Sequence, residues 1–187
     1  MDTLRLCLDK GVDPHARDGF GRSALLLAAR DGRSLAMVQF LRDKGLAIDE
    51  PDNAGRSALS DAAGNGDAAI VAWLLAGGAQ IARRDFQGQT PLYNAVLSGN
   101  VETVKTLVAA GADLNVRDNF DDTPLIGACE KGFDEIARLL VDKGADATLK
   151  DQEGRTARGR AADTSKFCAT LPGDPPAVPS GPAGDEP

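Results

Sequence analysis

Residues 85–117 read DFQGQTPLYNAVLSGNVETVKTLVAAGADLNVR, and residues 118–150 read DNFDDTPLIGACEKGFDEIARLLVDKGADATLK. Laid one over the other, Thr90–Leu92 meets Thr123–Leu125 as TPL, and Gly111–Asp113 meets Gly144–Asp146 as GAD. Working outward, the same register runs back to openings at Asp52 and Asp18 and forward to a fifth, DQEGRTA, at Asp151. Successive openings lie 34, 33, 33 and 33 residues apart. A fixed period of that length marks a stacked-repeat protein, whose units are each too small to bury their own apolar face.

Inside each unit the same local physics recurs. An Asp-led turn contains Gly21, Gly55, Gly88 or Gly154, residues that tolerate tight-turn dihedrals. Ser23, Ser57, Thr90 and Thr123 then stand where a hydroxyl caps a helix, with Pro91 and Pro124 at a first helical position. The first helix should end at Gly32, Gly66, Gly99 or Gly132, and the second at Gly45, Gly78, Gly111 or Gly144. Val101, Val104, Leu107 and Val108 show the three- and four-residue apolar spacing of that second helix. Two departures carry expectations. The first two units read SAL in place of TPL, which predicts weaker capping. The first unit has one extra residue, aligned within Arg42–Lys44, which predicts a longer second helix there.

Composition narrows the function. The 187 residues are 42% hydrophobic and 26% charged but only 4% aromatic, so the core is one of Ala, Leu, Val and Ile in close helix packing. No run approaches a membrane span. The net charge of −7 lacks the basic footprint of a nucleic-acid binder. A single histidine, His15, leaves neither a Cys–His nucleophile nor a metal-ligand set, so no catalytic residue, metal or cofactor is expected. Three cysteines without short spacing argue against a disulfide framework and for a reducing compartment. The GxGxxA-like string at Asp18–Ala24 follows DPHAR instead of a hydrophobic strand, and is one instance of the repeating turn.

The repeating unit resembles the ankyrin repeat, on TPLY at Thr90–Tyr93, TPLI at Thr123–Ile126 and the two GAD segments. The resemblance implies an all-α solenoid of helix-turn-helix units with hairpin-like fingers. It has four full repeats, at 18–51, 52–84, 85–117 and 118–150, and partial repeats at both ends. The histidine usual in that family's TPLH motif is replaced by Leu26, Ser60, Tyr93 and Ile126. Residues 1–17 align with the second half of a unit, with Leu4, Cys7 and Leu8 at core positions. Residues 151–170 form a degenerate C-terminal capping repeat, in which Arg158 and Arg160 suit a solvated cap. Residues 171–187, with six Pro and three Gly, form a disordered tail.

Function follows from the resemblance. It implies a non-catalytic protein–protein interaction module (adaptor, scaffold or inhibitor) that holds another protein through its fingers and concave face. The alternatives are the regulatory ankyrin segment of a larger enzyme, or a secreted ankyrin effector. No nucleic acid or membrane partner is expected. The chain should be a monomer, with self-association through the uncapped Leu4–Leu8 end as a second reading. The expected compartment is the cytoplasm, provided that no upstream segment or signal peptide precedes Met1. Phe20, Phe86 and Phe120 fall in the opening turns, where aromatics either anchor a partner or pack on the neighbouring finger. With them, Arg22, Arg56, Gln89 and Asp122 follow the turns, and Tyr93 and Leu97 give the surface an apolar centre. Arg17, Arg84, Arg117 and Lys150, each just before an opening Asp, read as a row of solvated charges in preference to a basic ladder that meets an acidic partner.

Overall fold

The computed structural model describes residues 13–32, 34–163 and 165–173. Among these are eight α-helices in four pairs: α1 (Ala24–Arg30) with α2 (Leu35–Asp43), α3 (Ala58–Gly64) with α4 (Ala68–Ala76), α5 (Pro91–Ser98) with α6 (Val101–Ala109), and α7 (Pro124–Glu130) with α8 (Asp134–Asp142). One 3-10 turn, Cys168–Thr170, follows. Residues 1–12 of the N-terminal half-unit, with Leu4, Cys7 and Leu8, and the tail from 174 onward lie outside the described residues.

Each first helix begins six residues after its opening Asp because a hydroxyl caps it. Ser23, Thr90 and Thr123 each accept a backbone N–H three residues on, at 3.3 Å. The second unit goes further, since Ser57 and Ser60 cap reciprocally, at 3.2 and 2.9 Å. The weaker capping expected of SAL is therefore not found. Serine presents the same oxygen as threonine, and Ser60 adds the return bond of a capping box. Nor is α2 longer, since all four second helices have nine residues. The extra residue sits instead in the α1–α2 turn, where lengthening a loop disturbs no packed face.

The helices form two layers. α1, α3, α5 and α7 stack in one row and α2, α4, α6 and α8 in the other, with the first helices in the closer contact. Small side chains permit that approach: Ala29, Ala63, Val96 and Cys129 occupy equivalent places, each 0% exposed. Leu25, Leu59, Leu92 and Leu125 seal the same layer at 0–1% exposure. Burying a leucine fully is worth about 1.5–3 kcal/mol, so this layer is a main source of the stack's stability.

The opening turns are tied to one another along the stack. Asn53 N–H donates to Phe20 C=O, Phe86 N–H to Ala54 C=O, Asn119 N–H to Gln87 C=O, and Gln152 N–H to Phe120 C=O, at 2.9–3.1 Å. The arginines before the openings reinforce this ladder. Arg17, Arg84 and Arg117 donate to the carbonyls of Pro51, Arg117 and Lys150, at 2.9, 2.5 and 3.3 Å. They are staples between units, a role that neither solvated charge nor partner contact describes. In the fourth unit Asp121 stands where the other turns have glycine, at φ 60°. Left-handed backbone costs a residue with a Cβ roughly 1 kcal/mol, so Asp121→Gly is expected to raise stability by about 0.5–1 kcal/mol in urea unfolding.

The C-terminal cap departs most from the sequence reading. Thr156 stands at the capping position, but no α-helix follows it among the described residues. Cys129 on α7 and Cys168 are joined in a disulfide, with Cα atoms 5.7 Å apart and both residues 0% exposed. The expectation of unpaired cysteines is overturned; their separation of 39 residues hid the pairing. Arg160 is not solvated either. It reaches Asp151 at 2.9 Å and Asp122 at 3.6 Å, and pairs closely with Glu130. Asp134, at the start of α8, accepts from Ser165 Oγ and from the Lys166 and Phe167 N–H groups. Packing continues through Leu171, which is 5% exposed.

Candidate functional site

The site begins with the finger turns. In the first four, the opening Asp Oδ1 accepts the N–H groups two and four residues on, as Asp85 does from Gln87 and Gln89 at 2.9 Å. Each turn is thereby closed on a carboxylate, and the cross-unit ladder fixes its neighbour. On this frame Phe20, Phe86 and Phe120 are 67%, 74% and 59% exposed. Two of them also touch their surroundings. The Arg22 guanidinium lies 4.7 Å from the centre of the Phe20 ring. The Phe86 ring lies over Gly55 of the preceding finger, so that a Cβ there would come within 2.9 Å of Cδ1. Phe20 and Phe86 are held in place, and all three rings are left mostly uncovered.

The residues four after each opening Asp diverge. Arg22 and Arg56 pair with Asp18 and Asp52, with Arg56 donating through Nε and NH2 at 3.0 and 2.7 Å. The Arg22 guanidinium holds the Asp18 carboxyl below its usual range, and backbone N–H groups act in the same direction. In the third unit Gln89 brings no charge, and Asp85 has no ion pair among the described residues. In the fourth Asp122 brings a second carboxylate beside Asp118, at 8% exposure. Burial pushes the Asp122 carboxyl up to about 6, against the pull of Arg160, with Asp118, Asp151 and Glu130 adding to the rise. Its Oδ1 has no hydrogen bond.

Tyr93 is not part of the open surface: it is 7% exposed, with its ring against Gly127. A Cβ built at Gly127 would lie 3.5 Å from the ring, at ordinary contact distance, and the apolar centre expected around Tyr93 is packed between α5 and α7. Leu97 remains at 36% exposure. Two contributors were missed. Asp61 is one that no sequence argument singled out, and Arg160 was assigned to solvent. For Asp61 a signal was present, because Leu27, Asn94 and Gly127 hold the matching places and none of them is charged.

A family model described as ankyrin repeats (3 copies) matches residues 1–85, 66–118 and 79–151. The chain belongs to the ankyrin-repeat family. Ankyrin repeats generally mediate protein–protein interaction, and the family is generally a non-catalytic interaction module. No curated protein matches the chain significantly. Among the described residues no group of three or more His, Cys, Asp or Glu is placed to hold a metal ion, and no helix is long and apolar enough to cross a membrane.

Proposed function

We propose that this ankyrin array is a non-catalytic binding module that holds a protein partner along its finger ridge and the adjoining first-helix face. It would serve as an adaptor, a scaffold or an inhibitor of the partner's covered surface. The observation that carries the reading is the row of phenylalanines, 59–74% exposed on turns braced by cross-unit hydrogen bonds. Aromatic anchors on a rigid frame lose little conformational entropy when covered, and rings left 59–74% exposed gain most of their burial only against a partner.

The disulfide adds a compartment to this reading. Cysteines joined inside a packed cap persist where the surroundings are oxidising and are rare in the cytosol. We therefore place the protein's work in an oxidising compartment, in place of the cytoplasm, and the secreted-effector alternative gains over a cytoplasmic adaptor or scaffold. The test is capture from fractionated source cells, comparing the intact chain with a Phe20→Ala, Phe86→Ala, Phe120→Ala variant whose melting is unchanged. Capture of a partner from the extracytoplasmic fraction, reduced at least about tenfold by the variant, is expected. Equal capture by both chains would remove the fingers from the site, and a partner found only in the cytosol would remove the compartment.

A further inference from the structure

The finger that carries Phe86 is also one wall of a cleft of about 240 Å³ between the second and third units. Asp85, Gln87 and Gln89 come from that finger, Asp61 from α3, Asn94 from α5, and Arg30 from the end of α1. Two carboxylate oxygens of this lining have no hydrogen-bond donor among the described residues. Asp61 Oδ2 is buried without a hydrogen-bond donor. Asp85 uses Oδ1 on its own turn, while the arginine that occupies the second oxygen in the first two units is Gln89 here. The neighbouring Arg56 is engaged by Asp52. Burial raises the Asp61 carboxyl against the pull of Arg56 and Arg30.

We infer that this cleft takes an arginine side chain of the protein partner, seated between Asp61 and Asp85 while the partner's apolar surface covers Phe86. A guanidinium brings five donors in one plane to carboxylate and amide oxygens set around a slot, where a lysine offers a single point charge. Charge-assisted bonds of this kind are the strong ones at an interface. The cleft and the exposed ring share one finger, so a single segment can reach both. The net charge of −7 favours approach by a basic partner. The inference rests on the protein-binding reading above and sharpens it.

Random twelve-residue peptides displayed on phage, selected on the full disulfide-bonded chain, provide the probe. Enriched peptides are expected to share an arginine, and synthetic copies to lose at least about tenfold in affinity when it becomes glutamine. Asp61→Asn should cost a similar factor. Gln89→Arg, which supplies Asp85 with the internal partner found in the first two units, should block the same peptides. Glu102→Gln on α6, outside the cleft, should leave binding unchanged. Enriched peptides that lack arginine, or that ignore both Asp61→Asn and Gln89→Arg, overturn the inference. If such peptides still need Phe86, the binding module stands and only the arginine pocket falls. Enrichment of nothing overturns the pocket as well, and the capture experiment above then decides the module independently.

Discussion

Replacing Cys129 and Cys168 together with alanine is expected to lower stability by roughly 3–4 kcal/mol, the loop-closure value for a bridge of this span. The two cysteines are 39 residues apart, and the chain between them includes α8 and most of the cap. Other ties hold that cap as well, among them the Ala162 N–H donated to Cys129 C=O at 3.0 Å. It has no α-helix of its own among the described residues, and it is pinned by the Asp134 cluster, by Arg160 and by the burial of Ala157 and Leu171. Freed from the disulfide, the end of the stack should open first, because stability in a repeat array is a sum of neighbour interfaces and a terminal unit has one. Hydrogen exchange should accelerate at α7 and α8 while α3 and α4 keep their protection. Wild-type protein unfolded in urea with and without reductant should reproduce the difference between wild type and the double variant. A double variant within about 0.5 kcal/mol of wild type would show that Asp134 and Arg160 hold the cap unaided.

Much of this molecule was legible in its residues because the repeat is a local code. The hydroxyl cap, the glycine stop and the apolar spacing each act within one turn of helix, and a sequence register displays them directly. Trp73, on α4, is half-buried against the core. What did not show were pairings made across the fold. The disulfide joins a small core position of one helix to a segment with no repeat pattern, and the arginine staples reach into the next unit. Asp122 and Tyr93 had been assigned to an open face, yet both are buried by the segment or helix that follows them. Burial of that kind depends on the neighbouring unit, which one unit's sequence does not describe. The alanine-like place of Cys129 in the register was visible; its partner in an irregular cap was not.

The second large effect belongs to Arg160. Its side chain is 17% exposed and faces three carboxylates, Asp122 from the fourth finger, Glu130 from α7 and Asp151 from the fifth turn. Asp118 lies close enough to raise Asp122 further, and Tyr93 feels the same group of charges. Arg160→Gln removes the one cation that joins the three, though Asp151 keeps Arg155 at 2.9 Å. Breaking a buried pair costs about 3–5 kcal/mol, and with partial exposure the expected loss is roughly 2–4 kcal/mol at pH 7. The pH dependence separates this from a simple packing defect. Asp122 titrates near 3.8 when unfolded and about 6 when folded, so between those values the folded state holds the extra proton. Stability therefore falls through that window as pH rises, and the group's cost is complete above about 6. Asp122→Asn should match wild type near pH 4 and exceed it by on the order of 1–2 kcal/mol at pH 7. In the Arg160→Gln background the Asp122 carboxyl loses its main attraction and rises further, so the fall should extend to higher pH. Adding Asp122→Asn should then recover much of the loss, a coupling that a double-mutant cycle in urea at pH 4, 5.5, 7 and 8 would measure. Additive losses at every pH would mean that Arg160 acts through its packing alone, and that Asp122 finds its compensation elsewhere.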